Sequence, residues 1–143
     1  MAVPALALAV ATPRFDLPTH AARAALPAQV PLADAVFNLG RSTLVVEALR
    51  DGDLDLLAQV MDDRLHQPYR LALIPGAAAA RQAALDGGAA ACVLSGAGPS
   101  LLAIARGDAR AVAGAMAAAF QAAGLPARAF TPSISAIGAQ VAE

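Results

Sequence analysis

Ser95-Gly96-Ala97-Gly98-Pro99-Ser100 puts two glycines, a proline and two serines into one tight turn. Glycines let neighbouring backbone N–H groups face the same way and hold an anion such as a phosphate, and serine hydroxyls add donors. The same residues also close ordinary hairpins, so the loop alone does not decide between the two. Arg23 and Arg70 form the second feature. Both stand in proline-bounded stretches, ARAALP and HQPYRLALIPG, read as irregular segments rather than as the helix faces where solvated arginines gather. A planar guanidinium makes paired hydrogen bonds to a carboxylate, so two of them on rigid segments could clamp a small acid. Their spacing does not itself bring them together.

Other candidates have plainer readings. His66 is placed in the last turn of a helix, where a cation suits the negative end of the dipole, with a substrate contact as the second reading. Asp62 and Asp63 are neighbours on that helix and diverge by about 100°, which favours a solvated face over a catalytic pair. Asp51, Asp53, Asp55 and Asp62 imitate a calcium loop, but Leu56 stands where a glycine is required. Cys92, between Ala91 and Val93, reads as a small core residue.

Composition narrows the chemistry further. The 143 residues suit one packed domain, and 41 of them are Ala, so the hydrophobic fraction of 58% reflects small helix formers rather than a membrane protein. All ten basic residues are Arg, which excludes a Walker A lysine and any lysine Schiff base in this chain. A net charge of -1 with scattered signs gives no footprint for nucleic acid. One cysteine and two separated histidines, His20 and His66, provide neither a disulfide nor a zinc set, and fit a reducing cytoplasm. The opening MAVPALALAVAT lacks a basic start and contains Pro4, so it is read as a strand rather than a leader. The Ala-rich run from Ala111 to Ala123 is too short to cross a bilayer, so no membrane contact is expected.

These features need elements to hold them. Leu6, Leu8 and Val10 alternate with Ala and predict a first strand ending at Thr12-Pro13, entered so early that the chain reads as cut from a longer one. A helix is predicted from Leu32 to Arg50, with Val36, Leu39, Leu44 and Ala48 near helical spacing. Asp53 caps a second helix carrying Leu54, Leu57, Val60, Met61 and Leu65, which Pro68 ends. A third helix runs from Pro75-Gly76 to Gly87-Gly88. Two strands, Ala89 to Leu94 and Leu101 to Ala105, meet across the glycine loop; a fourth helix begins at Asp108 and ends at Gly124. Arg128 to Ser135 and Ile137 to Val141 are read as the last strands. That order implies an α+β domain, an antiparallel sheet with helices on one face.

Four segments carry a family resemblance: ATPRFDLPTHAARAALP at 11–27, DAVFNLGRSTLVVEAL at 34–49, DRLHQPYRLALIPG at 63–76 and GGAAACVLSGAGPSLLAIA at 87–105. Together they resemble the carboxyl-terminal half of the homoserine kinases, a family of the GHMP kinase superfamily. The resemblance implies a ferredoxin-like fold and transfer of the ATP γ-phosphoryl group to L-homoserine, giving O-phosphohomoserine in threonine biosynthesis. It implies that Arg23 and Arg70 hold the substrate carboxylate; His66, beside the second arginine motif, keeps its substrate-contact reading as a candidate. It also implies that Ser95, Gly96, Ala97, Gly98 and Ser100 lie near the nucleotide phosphates.

The superfamily's Pro-x-x-x-Gly-Leu-Gly-Ser-Ser-Ala loop is absent from the sequence, as are the acidic and asparagine positions that serve magnesium and the acceptor hydroxyl. The chain therefore reads as one domain over residues 1–143, with the amino-terminal ATP-binding half elsewhere. No catalytic residue, no metal ligand and no ATP or Mg²⁺ binding are expected of it alone, and in isolation it is expected to be inactive. That missing half is the expected partner, and a homodimer is a further candidate assembly. A face left bare by it should border the glycine loop and the first strand. Diphosphocytidyl-methylerythritol kinase shares the loop, but its substrate has no carboxylate to occupy the arginines. A stand-alone ferredoxin-like module that binds a small molecule or docks on a partner is the reading from another class.

Overall fold

The computed structural model describes residues 4–135, 137 and 141. Four strands, β1 (Ala7–Pro13), β2 (Ala89–Leu94), β3 (Leu101–Ala105) and β4 (Ala127–Phe130), form one sheet in the order β2-β3-β1-β4. Every pairing is antiparallel: Ala9 opposes Ala103, Cys92 opposes Ala103 from the other side, and Ala11 opposes Ala129. The α+β class and the ferredoxin-like arrangement expected from the sequence are what the chain adopts.

The main core lies on one face. α5 (Ala77–Asp86) and α6 (Ala109–Ala122) place Ala80, Ala84, Val112, Met116 and Phe120 against Ala9, Ala11, Leu101 and Ala103 of the sheet. Alternation explains the choice of face, because every second strand residue points to the same side. Ala on the strands lets the helices approach closely, and Phe120 and Met116 fill the space. Asp108 caps α6 by accepting from the amides of Arg110 and Ala111 at 2.9 and 3.3 Å.

Helices on one face describes only this pair. α2 (Leu32–Asp51) and α3 (Leu54–Val60) lie across the sheet from it, where Ala48, Leu57 and Ile104 make a second cluster with Leu6 and Leu8 beside it. Only the last turns of α2 reach that cluster. Val36, Leu39 and Leu44, expected on a core stripe, are 59%, 74% and 43% exposed, because a helix of 20 residues spans about 30 Å and overruns a sheet of short strands. Leu32 and Val46 continue the bare stripe, so the largest group of exposed apolar side chains falls on a helix that the expected bare face did not include.

Both proline-bounded stretches form short helices, α1 (Thr19–Ala24) and α4 (Gln67–Leu71), rather than irregular chain. Pro18 precedes the first, and Pro68 lies in the opening turn of the second, where a missing N–H leaves no helical bond unmade. So Pro68 starts a helix instead of ending one. α3 stops at Val60, short of Leu65. The expected strand from Arg128 to Ser135 is confined to β4, and the one from Ile137 to Val141 falls largely on residues 138–140, outside those described.

Candidate functional site

The break between α3 and α4 is made by Asp63. Its Oδ2 accepts from the backbone amides of His66 and Gln67 at 2.8 and 2.6 Å, and its Oδ1 accepts from the Asn38 side-chain amide at 2.5 Å. Burial pushes the Asp63 carboxyl up, but these donors outweigh it and hold the group below the ordinary carboxylate range. Asp63 therefore leaves the solvated face expected for it, with its side chain only 11% exposed, while Asp62 remains outside beside Arg81 at 3.6 Å. His66 moves with it. It is the residue before α4, at the positive end of a helix rather than the last turn of one, with Nε2 3.9 Å from Asp63 Oδ1 and a buried Nδ1 that has no partner among the described residues.

Arg70 lies in the last turn of α4, and its Nε donates to the Ala22 carbonyl of α1 at 3.3 Å. The next residue is Arg23, exposed at the end of α1. Two arginines far apart in sequence are thus carried by two short helices joined side chain to backbone.

The glycine loop adjoins the segments that flank both helices. Ser95 donates its amide to the Ser100 carbonyl at 2.9 Å, Gly98 donates to the Ser95 carbonyl at 3.1 Å, and the Ser100 and Thr12 hydroxyls bond at 2.8 Å. Those bonds close the turn, whose Gly98–Pro99 peptide is cis. The amides of Gly96 and Ala97 have no acceptor among the described residues, which narrows the four expected donors to two. Gly96 and Gly98 have φ of +63° and +90°, a region that favours glycine. A Cβ on Gly98 would meet Ile74 at 3.0 Å, Leu94 at 3.1 Å and Leu17 at 3.5 Å. Leu17 precedes α1 and Ile74 follows α4, so the loop packs on the segments that flank both arginine helices.

Gln67 completes the arrangement and was not among the residues singled out from the sequence. It is 6% exposed, and its Oε1 accepts from the Leu94 amide at 2.8 Å, at the entry to the loop. No local pattern marks it; Asp63, three positions before His66, has the spacing of a helix cap and was legible in principle. Cys92 lies in the sheet as expected, and burial pushes its thiol up to about 12. Among the described residues no group of three His, Cys, Asp or Glu side chains could hold a metal ion, and no helix is long and apolar enough to cross a membrane.

The fold and these motifs agree with the comparisons. Residues 45–122 match the family described as GHMP kinases C terminal, and the chain belongs to that family. Its sequence is 51% identical over 117 residues to homoserine kinase of Moorella thermoacetica, covering 82% of this chain and 40% of that protein. It is 55% identical over 115 residues to homoserine kinase of Gloeobacter violaceus, covering 80% and 38%. The crystal structure of homoserine kinase from Cytophaga hutchinsonii superposes with a TM-score of 0.85 at 34% identity, covering 90% of this chain and 42% of that one. The chain spans about two-fifths of the length of the curated relatives it matches.

Proposed function

We propose that this chain is the acceptor-binding part of a homoserine kinase, active when joined to an amino-terminal ATP-binding part in a cytoplasmic enzyme. The observation that carries the reading is the Arg70 to Ala22 bond, which joins the two arginine-bearing helices, while their flanking residues Leu17 and Ile74 pack against the glycine loop. On this reading Arg23 and Arg70 pair with the carboxylate of L-homoserine, and His66, at the entrance to α4, is a further contact to the same substrate. The amides of Gly96 and Ala97 fit a phosphate oxygen of ATP, with Ser95, Gly98 and Ser100 holding the turn in shape. In the reaction the homoserine hydroxyl oxygen forms the new bond to the γ-phosphorus, the bond to ADP breaks, and the hydroxyl proton leaves to a base outside this chain. Positioning and electrostatics account for most of such catalysis, so orienting the acceptor is a substantial share of the task. On this reading the Mg²⁺ that accompanies ATP is held by the amino-terminal part, and no magnesium ligand is assigned to this chain.

The test is reconstitution. The chain joined to an amino-terminal kinase part should convert L-homoserine and ATP to O-phosphohomoserine and ADP in equal amounts, followed by ³¹P NMR, while the chain alone should not. An assembled complex that hydrolyses ATP or phosphorylates another alcohol, yet leaves homoserine untouched, rejects the proposal.

A further inference from the structure

We propose that Gln67 is a positioning residue that fixes the glycine loop to the helix carrying Arg70, so that the phosphate side and the acceptor side of the site hold one relative geometry. The inference deepens the homoserine kinase reading and rests on it for the identity of the two sides. β2 is an edge strand. At its end the Ser95 amide turns inward to Ser100, so the Leu94 amide, pointing the opposite way along the pleat, has no strand to bond among the described residues. Gln67 provides the acceptor at 2.8 Å. Among the described residues it is the sole buried polar side chain. Its own amide is held by Asp63, and Arg70 follows it on the same short helix. The path from the loop entrance to Arg70 therefore contains one side-chain bond and one turn of helix. Leu94 forms the other contact, since its side chain packs where Gly98 has no Cβ. A residue at 67 without an oxygen would leave a buried N–H unpaired, and the cheapest relief is for the loop to move away from α4.

The tether is tested first on the 143-residue chain itself. In Gln67→Met, of similar size but lacking the acceptor, hydrogen exchange at the Leu94 amide should quicken roughly tenfold or more, and the Gly96 and Ala97 amide resonances should shift; Gln67→Glu keeps an oxygen and should keep the protection. Should Gln67→Met not fold, a scalar coupling across the hydrogen bond between the Leu94 amide and the Gln67 δ-carbon decides the matter in the unaltered chain. In the reconstituted enzyme, Gln67→Met should raise KM for homoserine and for ATP together by roughly tenfold, Gln67→Glu should restore the homoserine KM, and Arg70→Ala should raise the homoserine KM alone. Unchanged Leu94 exchange, a missing coupling, or a Gln67→Met enzyme that loses only melting temperature overturns the positioning role. An Arg70→Ala enzyme with normal homoserine KM overturns the kinase reading instead, and the Leu94 measurements still decide the tether.

Discussion

Arg70 donates through Nε to the carbonyl of Ala22, 48 positions earlier, and so stands beside the residue that precedes Arg23. One guanidinium nitrogen is thereby committed to the backbone of α1, which holds the plane of the group; on the proposed reading its other nitrogens meet the substrate carboxylate. In the reconstituted enzyme, Arg70→Ala or Arg23→Ala should raise the homoserine KM by roughly ten- to a hundredfold, the equivalent of one charge-assisted bond, and leave the ATP KM near its starting value. Steady-state kinetics with each substrate varied in turn measures this. Equal weakening for both substrates would mark a folding defect rather than a lost clamp.

Asp63 sets an acid limit on stability. Its carboxyl is depressed in the folded chain, so its contribution is complete above the ordinary carboxylate pKa and is lost as pH falls through the lower folded value. Asp63→Asn should lower the melting temperature at neutral pH and remove part of the further fall seen below about pH 4. Thermal melts of both proteins between acid and neutral pH would show it, and parallel curves would assign the acid sensitivity to other groups.

Gly96 and Gly98 should respond unequally to alanine. Both have positive φ, which costs a non-glycine residue about 1–2 kcal/mol, but a Cβ at 96 meets nothing within 4 Å whereas one at 98 runs into Ile74 and Leu94. Gly98→Ala should therefore destabilise the chain clearly more than Gly96→Ala in urea titrations. A reversed order would mean that the loop is not packed on Leu17, Ile74 and Leu94 as described.

Cys92 should resist alkylation in the folded chain, since burial keeps its thiol protonated up to about pH 12. The sign of the linkage follows. A raised folded pKa stabilises the fold fully below the unfolded thiol value of about 8.5, and that contribution is lost as pH climbs from there towards 12. Cys92→Ala should remove this alkaline component, and rapid labelling of native protein by iodoacetamide at pH 8 would contradict the account.

The bare stripe on α2 predicts association. With Leu32, Val36, Leu39 and Val46 all more than half exposed, the chain without a covering partner should bind a hydrophobic dye and self-associate, and Val36→Glu with Leu39→Glu should reduce both. Sedimentation at rising concentration tests it. A monomeric, dye-silent parent chain would show that the stripe attracts nothing.

How much of this was legible in the sequence depends on the range over which each feature is decided. β1, β2 and β3 could be read because strand alternation and the Gly-rich punctuation around 87–88 and 95–100 act between near neighbours. The stripe on α2 gave the helix but not its burial, since periodic leucines look the same whether a sheet lies beneath them or not. The end of α3 was misplaced because Leu65 kept the helical period while Asp63 captured the next amides for a new helix. Arg23 and Arg70 were picked out by their surroundings and the motif they share with a family, whereas Gln67 is defined only by a strand edge that reaches it from 27 positions away.

β1 occupies an interior place in the sheet although it is the first of the four described strands in sequence, and its partners Ala105 and Phe130 come from far along the chain. The β2–β3 hairpin and the α5–α6 pair can assemble from nearby residues, but β1 must wait for both neighbours to leave the ribosome and then insert between them. Long-range closure of this kind slows folding. During synthesis β1 is a row of unpaired amides and carbonyls on small side chains, open to strands of other nascent chains, so crowding on a polysome rather than loss of native contacts is the first hazard this topology creates.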